Sequence, residues 1–401
     1  MATIIDLHGL SVLLALLVLA AGRLGLLGQL ANRPVTLLGA GIAGGFLYRR
    51  FGLPTPDPEA VRQAARLGLA VLVFMAAQQC RLSRLPRLSP AALRLVVLAA
   101  PSLIVAGAGV VFALLPGLGL WSAILVGTVL PLGVGGGDER EVLRAPIANA
   151  TKRTVRLDSA LSLVLMLPLA LLVEAAGIAP APYAPFSENV LYEAFAGAAV
   201  GGTLGLLAGR LLPVRGARLP AAPLFTLGAS YAGALLLGFD GVLAAASAGL
   251  LYAQEAPLRG TARSRLFEAG RQWCTPLAVF GLGAILGPSL FQADLLVWLA
   301  ALLPVLLLRG IVRSAALGAV DARQEDRTFL SWFGGAPAAG AALLVLSLLG
   351  SPSVAAQEGA LGVAAVSVFA GIVVTRLSSR PLVTRLVHQT ARARKRRYIA
   401  A

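Results

Sequence analysis

Two charged residues stand where an apolar sequence should have none. Asp158 lies in Val155-Arg156-Leu157-Asp158-Ser159-Ala160, and Arg309 closes the run Leu302-Leu303-Pro304-Val305-Leu306-Leu307-Leu308-Arg309. Arg23 lies in a third apolar stretch. A charge within a membrane-spanning helix costs roughly 2.5–3.5 kcal/mol on insertion scales, so each needs a partner or a role. Arg23 has a stem long enough to snorkel to the interface. Asp158 and Arg309 can neutralise each other as a buried ion pair, or the Asp158 carboxylate can ligate an ion directly.

A second kind of chemistry comes from backbone that cannot stay helical. Pro131, Gly133, Gly135, Gly136 and Gly137 crowd one apolar segment, and Gly334, Gly335, Pro337 and Gly340 crowd another. Proline and glycine weaken helices and free backbone carbonyls, which in hydrocarbon must be satisfied by protein or by a water-filled cavity. Together with the hydroxyls of Thr128 and Ser162, such carbonyls offer neutral oxygen ligands to a cation. Asp138, directly after the glycines, reads as a solvated loop acid that adds a carboxylate only if the break extends that far. No metal centre or cofactor site is expected. His8 and His388 lie at opposite ends of the chain, and Cys80 and Cys274 read as reduced thiols near cytoplasmic helix ends.

The elements that must hold these groups follow from composition. Of 401 residues, 58% are hydrophobic and 13% charged, with mean hydropathy +0.83. Soluble domains carry about 25% charged residues, so a soluble enzyme is excluded, as are disordered and disulfide-rich classes. An all-α, polytopic membrane protein remains. Thirteen apolar segments have cores at 7–30, 34–48, 60–79, 90–115, 118–137, 154–176, 189–212, 222–238, 240–254, 272–288, 292–319, 328–349 and 358–378.

The net charge of +16 is topological rather than a nucleic-acid footprint. Arginine and lysine crowd alternate loops, such as Arg81, Arg84 and Arg87, then Arg140, Arg144, Lys152 and Arg153, and finally the tail from Arg392 to Arg397. From the fourth segment on, the intervening loops hold acids instead: Glu188, Asp240, Asp294 and Glu358. The positive-inside rule then places the C-terminus in the cytoplasm and the N-terminus outside, with 380–401 a short basic cytoplasmic tail. Arg49 and Arg50 break the rule. On this topology Asp158 falls about 6 Å from the cytoplasmic end of its helix and Arg309 about 10–15 Å from the end of its own. A guanidinium stem closes that gap, which predicts the Asp158–Arg309 pair.

Thirteen segments divide as six, one and six. A segment then matches the seventh one after it in the opposite orientation, as an inverted repeat. The two glycine-rich runs fall in the fifth and twelfth segments, seven apart. Paired broken helices point to a transporter's binding site.

These residues resemble the monovalent cation/proton antiporters of the sodium/proton exchanger superfamily. Four stretches carry the likeness: Pro34–Leu53 (PVTLLGAGIAGGFLYRRFGL), Leu67–Leu85 (LGLAVLVFMAAQQCRLSRL), Leu224–Tyr252 (LFTLGASYAGALLLGFDGVLAAASAGLLY) and Arg327–Gly340 (RTFLSWFGGAPAAG). The resemblance implies the sodium/proton antiporter fold over 1–401 as one domain, a homodimer in the cell (inner) membrane, and Na⁺ or K⁺ exchanged for protons. The chain departs from the family where the chemistry lies. The fifth segment reads Leu130-Pro131-Leu132-Gly133-Val134-Gly135-Gly136-Gly137 with no Thr-Asp-Pro, and Ser162-Leu163 stands in place of Asn-Asp in the sixth. In that register Asp158 occupies the position of a salt-bridging acid, and the ion-binding carboxylate is replaced by Leu163. Two alternatives follow: a scaffold or sensor that retains the fold without proton-coupled exchange, and a transporter of another solute, such as an organic anion drawn to Arg309.

Overall fold

The computed structural model describes residues 34–52, 56–80, 89–133, 145–178, 188–211, 221–255, 260–290, 293–320, 323–334, 338–349 and 358–400. Among them there are helices and no strands. In chain order the helices are α1 (Pro34–Arg50), α2 (Pro58–Ala77), α3 (Pro90–Leu114), α4 (Gly119–Gly133), α5 (Asn149–Ile178), α6 (Glu188–Leu211) and α7 (Ala221–Leu236). There follow α8 (Gly241–Glu255), α9 (Gly260–Leu290), α10 (Leu295–Leu317), α11 (Gln324–Trp332), α12 (Ala338–Ser347) and α13 (Glu358–Ala400). Segments two to thirteen are thus helical, the twelfth as two pieces. The first segment, with Arg23, lies outside the described residues. Six described helices are long and apolar enough to cross a membrane by length and composition: α2, α3, α5, α6, α10 and α13.

Local chemistry sets several helix starts. Asp57 accepts from the Glu59 amide ahead of Pro58, and Ser89 accepts from the Ala92 amide at 3.2 Å ahead of Pro90. Both pair a capping side chain with a proline whose missing N–H is no loss in the first turn. Asp240 caps α8 more fully, accepting from the Val242 and Leu243 amides at 2.8 and 2.9 Å.

Helices approach closely where small residues face each other. A Cβ added at Gly201 or Gly205 of α6 would run into the Ala244 or Ala248 carbonyl of α8, and one at Gly41 or Gly45 of α1 into the Phe280 or Ala284 carbonyl of α9. Such backbone-to-backbone seams supply the packing that holds helices together in lipid, where burial of apolar surface gives no advantage. Every residue of α12 is buried, as is α2 from Leu69 to Ala77, apart from Val71. α12 packs on α2, α4, α9 and α13, at the centre of the molecule.

Two irregular turns form a pair. α3 widens into a π-turn at Leu95–Ala99, and α10 does so at Pro304–Leu308. These helices are the fourth and eleventh segments. The helical path stops between α11 and α12, in the twelfth segment, while the run expected to break the fifth lies mostly beyond Gly133, outside the described residues. The two π-turns are seven segments apart, which supports the inverted repeat. The expected tail from 380 continues α13, which runs from Glu358 to Ala400 as one helix of 43 residues. At 1.5 Å per residue that helix is about twice as long as the hydrocarbon is thick, so its basic end stands beyond the span.

Candidate functional site

The break after α11 is the point on which the charged groups converge. Gly334 has φ +137°, a conformation that L side chains rarely adopt. A Cβ there would run into Asp158 Oδ2 and Arg313 Nη2. Its carbonyl accepts from Arg309 Nη2. Asp158, Arg309 and Arg313 are 1%, 2% and 6% exposed, so one glycine seats three buried charges.

The partner of Asp158 corrects the sequence reading. Arg313 Nη2 donates to Asp158 Oδ2 at 2.7 Å, and the ion pair joins α10 to α5. Arg309 instead braces the broken helix. The reason is depth. Arg313 lies one turn, about 6 Å, nearer the end of α10 that the charge pattern assigns to the cytoplasm, and so meets Asp158 at its own level. Arg313 also donates to the Leu330 carbonyl, from Nη2 at 3.0 Å and from Nε at 3.3 Å. The two arginines therefore satisfy carbonyls at the C-terminal end of α11, where cations are favoured. Thr151 of α5 donates to Asp326 of α11 at 3.0 Å, and Ser89 and Thr154 share a hydrogen bond of 3.0 Å.

The other expected site residues lie deeper. Thr128 is fully buried in α4, and its hydroxyl donates to the Leu125 carbonyl of its own helix at 2.6 Å. Ser162 is buried on α5. Beside it, Leu163 is fully buried, and its Cδ2 would lie 2.6 Å from a Cβ added at Gly340 of α12. Leucine therefore occupies the point where α5 meets the second half of the broken helix. Gly133 is the last residue of α4. Gly135, Gly136, Gly137, Asp138, Gly335 and Pro337 lie outside the described residues.

A second ionic cluster was not foreseen. Glu174, 2% exposed on α5, sits 3.4 Å from Arg66 of α2, and Arg66 reaches Asp240 at 3.7 Å. One guanidinium thus ties α2, α5 and the cap of α8. The signal was present in Leu171-Leu172-Val173-Glu174-Ala175-Ala176, an acid in an apolar run. Arg313 also had a signal, since it follows Arg309 by four residues and so shares its helix face.

The described helices thus surround a central interrupted helix whose break is seated on buried charges, with its irregular backbone buried in protein. Among solved structures the chain is similar to the sodium proton antiporter MjNhaP1 from Methanocaldococcus jannaschii at pH 8, with TM-score 0.67, 18% identity, and 96% of this chain and 99% of that one covered. A second structure of the same antiporter, from electron microscopy, gives TM-score 0.64 at 17% identity, covering 97% of each chain. The protein thus has the sodium/proton antiporter fold over nearly its whole length. No family model matches the sequence, and no curated protein matches it. The structural neighbours are transporters, not enzymes.

Proposed function

We propose that this protein is a secondary active transporter that exchanges a monovalent cation, Na⁺ or K⁺, for protons across the cell membrane, and that it works as a homodimer. The observation that carries the reading is the Asp158–Arg313–Gly334 hub, which fixes a discontinuous helix at the centre of an antiporter fold. Bilayer insertion of three charges is expensive, and seating the break in the helix gives them a role. Ser162 and Thr128 are the proposed ion ligands, with Asp158 one turn from Ser162 on the same helix. A cation and a proton compete for one carboxylate, and competition alternately exposed to each side is exchange.

The test is fluorescence dequenching in everted vesicles, with Na⁺, K⁺ or Li⁺ added after a proton gradient is set. Dequenching with Na⁺ or K⁺ is expected. Silence across pH 6–9 with folded protein sinks the reading. A second reading, the fold retained without proton-coupled exchange, is favoured by Leu163 against Gly340, which sets an apolar side chain at the crossing. Asp158→Asn separates the roles of that carboxylate. A variant that stays folded but stops exchanging assigns the proton to Asp158, and one that loses stability first assigns it to the scaffold.

A further inference from the structure

The described helices fall into two groups. α1, α2 and α6 to α9 pack on one another, as do α3, α4, α5, α10, α11 and α13, and α12 lies between the groups. α5 faces the first group through α2, α6 and α8. Two ion pairs inside the groups are short: Arg313 meets Asp158 at 2.7 Å, and Arg210 meets Glu255 at 3.0 Å. Arg66 of α2 is placed differently. Its Nη1 reaches Asp240, in its own group, at 3.7 Å, and its Nη2 crosses to Glu174 of α5 at 3.4 Å. Its Nε is buried with no hydrogen-bond partner among the described residues. Arg62, one turn away on α2, also attracts Glu174, but Glu59 of its own helix holds it at 2.7 Å. One guanidinium therefore serves two carboxylates, one on each side of the boundary.

We propose that the Arg66–Glu174 pair is a releasable latch that holds the two groups together at the end of the molecule with the acidic loops. The proposal rests on the transporter reading, in which one bundle rocks against the other and the site opens to each side in turn. The geometry suits release. Asp158 and Arg313 are both sealed, so parting them strands charge in a dry interior. Arg66 is 29% exposed and Asp240 22%, and an opening at this end admits water to Glu174 instead of stranding it. Contacts of 3.4 and 3.7 Å are also longer than a strong charge-assisted hydrogen bond, about 2.7–2.9 Å, so less is lost when they part. Asp240 keeps Arg66 with the first group after release, because its cap on the Val242 and Leu243 amides fixes it to α8. Glu174 leaves with α5.

The experiment measures spin-label distances by double electron–electron resonance on the purified full-length protein in lipid nanodiscs, with Cys80 and Cys274 replaced by alanine. One label pair, at Leu236→Cys of α7 and Leu295→Cys of α10, spans the groups at the acidic-loop end. A second, at Leu211→Cys of α6 and Leu377→Cys of α13, spans them at the basic-loop end. All four positions are exposed. The double variant Arg66→Gln/Glu174→Gln removes both charges of the pair, so neither is stranded. It is expected to lengthen the acidic-end distance by several ångströms, or to add a longer population, and to leave the basic-end distance no longer than before. A folded double variant with unchanged acidic-end distances overturns the latch, and so does equal lengthening at both ends, which is general loosening. Where the double variant fails to fold, Arg66→Lys decides. Lysine keeps the charge, but its single nitrogen cannot bridge Glu174 and Asp240 as the two branches of a guanidinium do. A longer acidic-end population supports the latch, and an unchanged one overturns it. The latch and the transport reading fail separately: silence in the vesicle assay leaves a longer distance standing, and an unchanged distance leaves dequenching standing.

Discussion

Asp158 and its two arginines show how far a single residue's position governs its role. Removing one partner of a buried pair strands the other, which typically costs about 3–5 kcal/mol. Asp158→Asn and Arg313→Gln are each expected to destabilise the protein by that order, and the double variant by less than their sum. The cycle of Asp158→Asn with Arg309→Gln is expected to show the smaller coupling. Denaturation in detergent measures both, and a larger coupling to Arg309 would restore the pairing first read from the sequence. Asp158 and Arg309 were legible because both interrupt apolar runs. Arg313 was hidden because Ile311-Val312-Arg313-Ser314 lies near a helix end, where arginines routinely snorkel to water. Cys80 makes a further prediction outside the spans. Burial pushes its thiol up to about 12 from an ordinary 9.0. The folded state therefore holds the proton more tightly than the unfolded one. The resulting stability is present below pH 9 and is lost as pH rises from there towards 12. At pH 8 about one thiol in 10⁴ is ionised, so maleimide is expected to label Cys80 only after unfolding.

At the scale of the helix, α5 is the element around which both ionic clusters are built. Asp158 and Glu174 are sixteen residues apart on it, about 24 Å along the axis, and each is clasped by an arginine from a different helix. Hydropathy located α5 well, because an apolar run of that length has one reading. It could not show which helices touch. The seam between α6 and α8 depends on Gly197, Gly201 and Gly205, spaced by four, and small residues are so common here that their alignment emerges only from the paired backbones. Gly201→Leu is expected to push α6 off α8 and to lower Tm by several degrees. Gly233→Leu, whose Cβ would meet only the Leu204 Cδ1 at an ordinary 3.5 Å, is expected to do much less. Equal melting of the two variants would remove the seam from the account. The interruption between α11 and α12 was legible from Gly334 and Pro337. That the break seats charges was not, since a glycine's neighbours are set by tertiary packing.

For the whole molecule, the two clusters give the chain a polarity that its loop charges also describe. The Asp158 hub lies at the end of α5 next to the basic loops, and the Arg66–Glu174–Asp240 cluster lies at the other end, with the acidic loops. Alternation of basic loops was the most legible feature of the sequence, because insertion reads arginine and lysine directly. The exception, Arg49 and Arg50, has a local cause. Both are exposed in the last turn of α1, where a helix C-terminus favours positive charge, so they carry less topological weight than their number suggests. The charge pattern predicts an orientation with the long basic end of α13 in the cytoplasm. A fluorescent protein fused after Ala401 is then expected to glow in intact cells, while alkaline phosphatase at the same point stays inactive. Alkaline phosphatase fused after Leu237, in the acidic turn between α7 and α8, is expected to be active. The reverse pattern at both points would invert the molecule. It would also exchange the sides of the membrane nearest to the Asp158 hub and the Glu174 cluster, and so reverse which of them lies closer to a cytoplasmic proton.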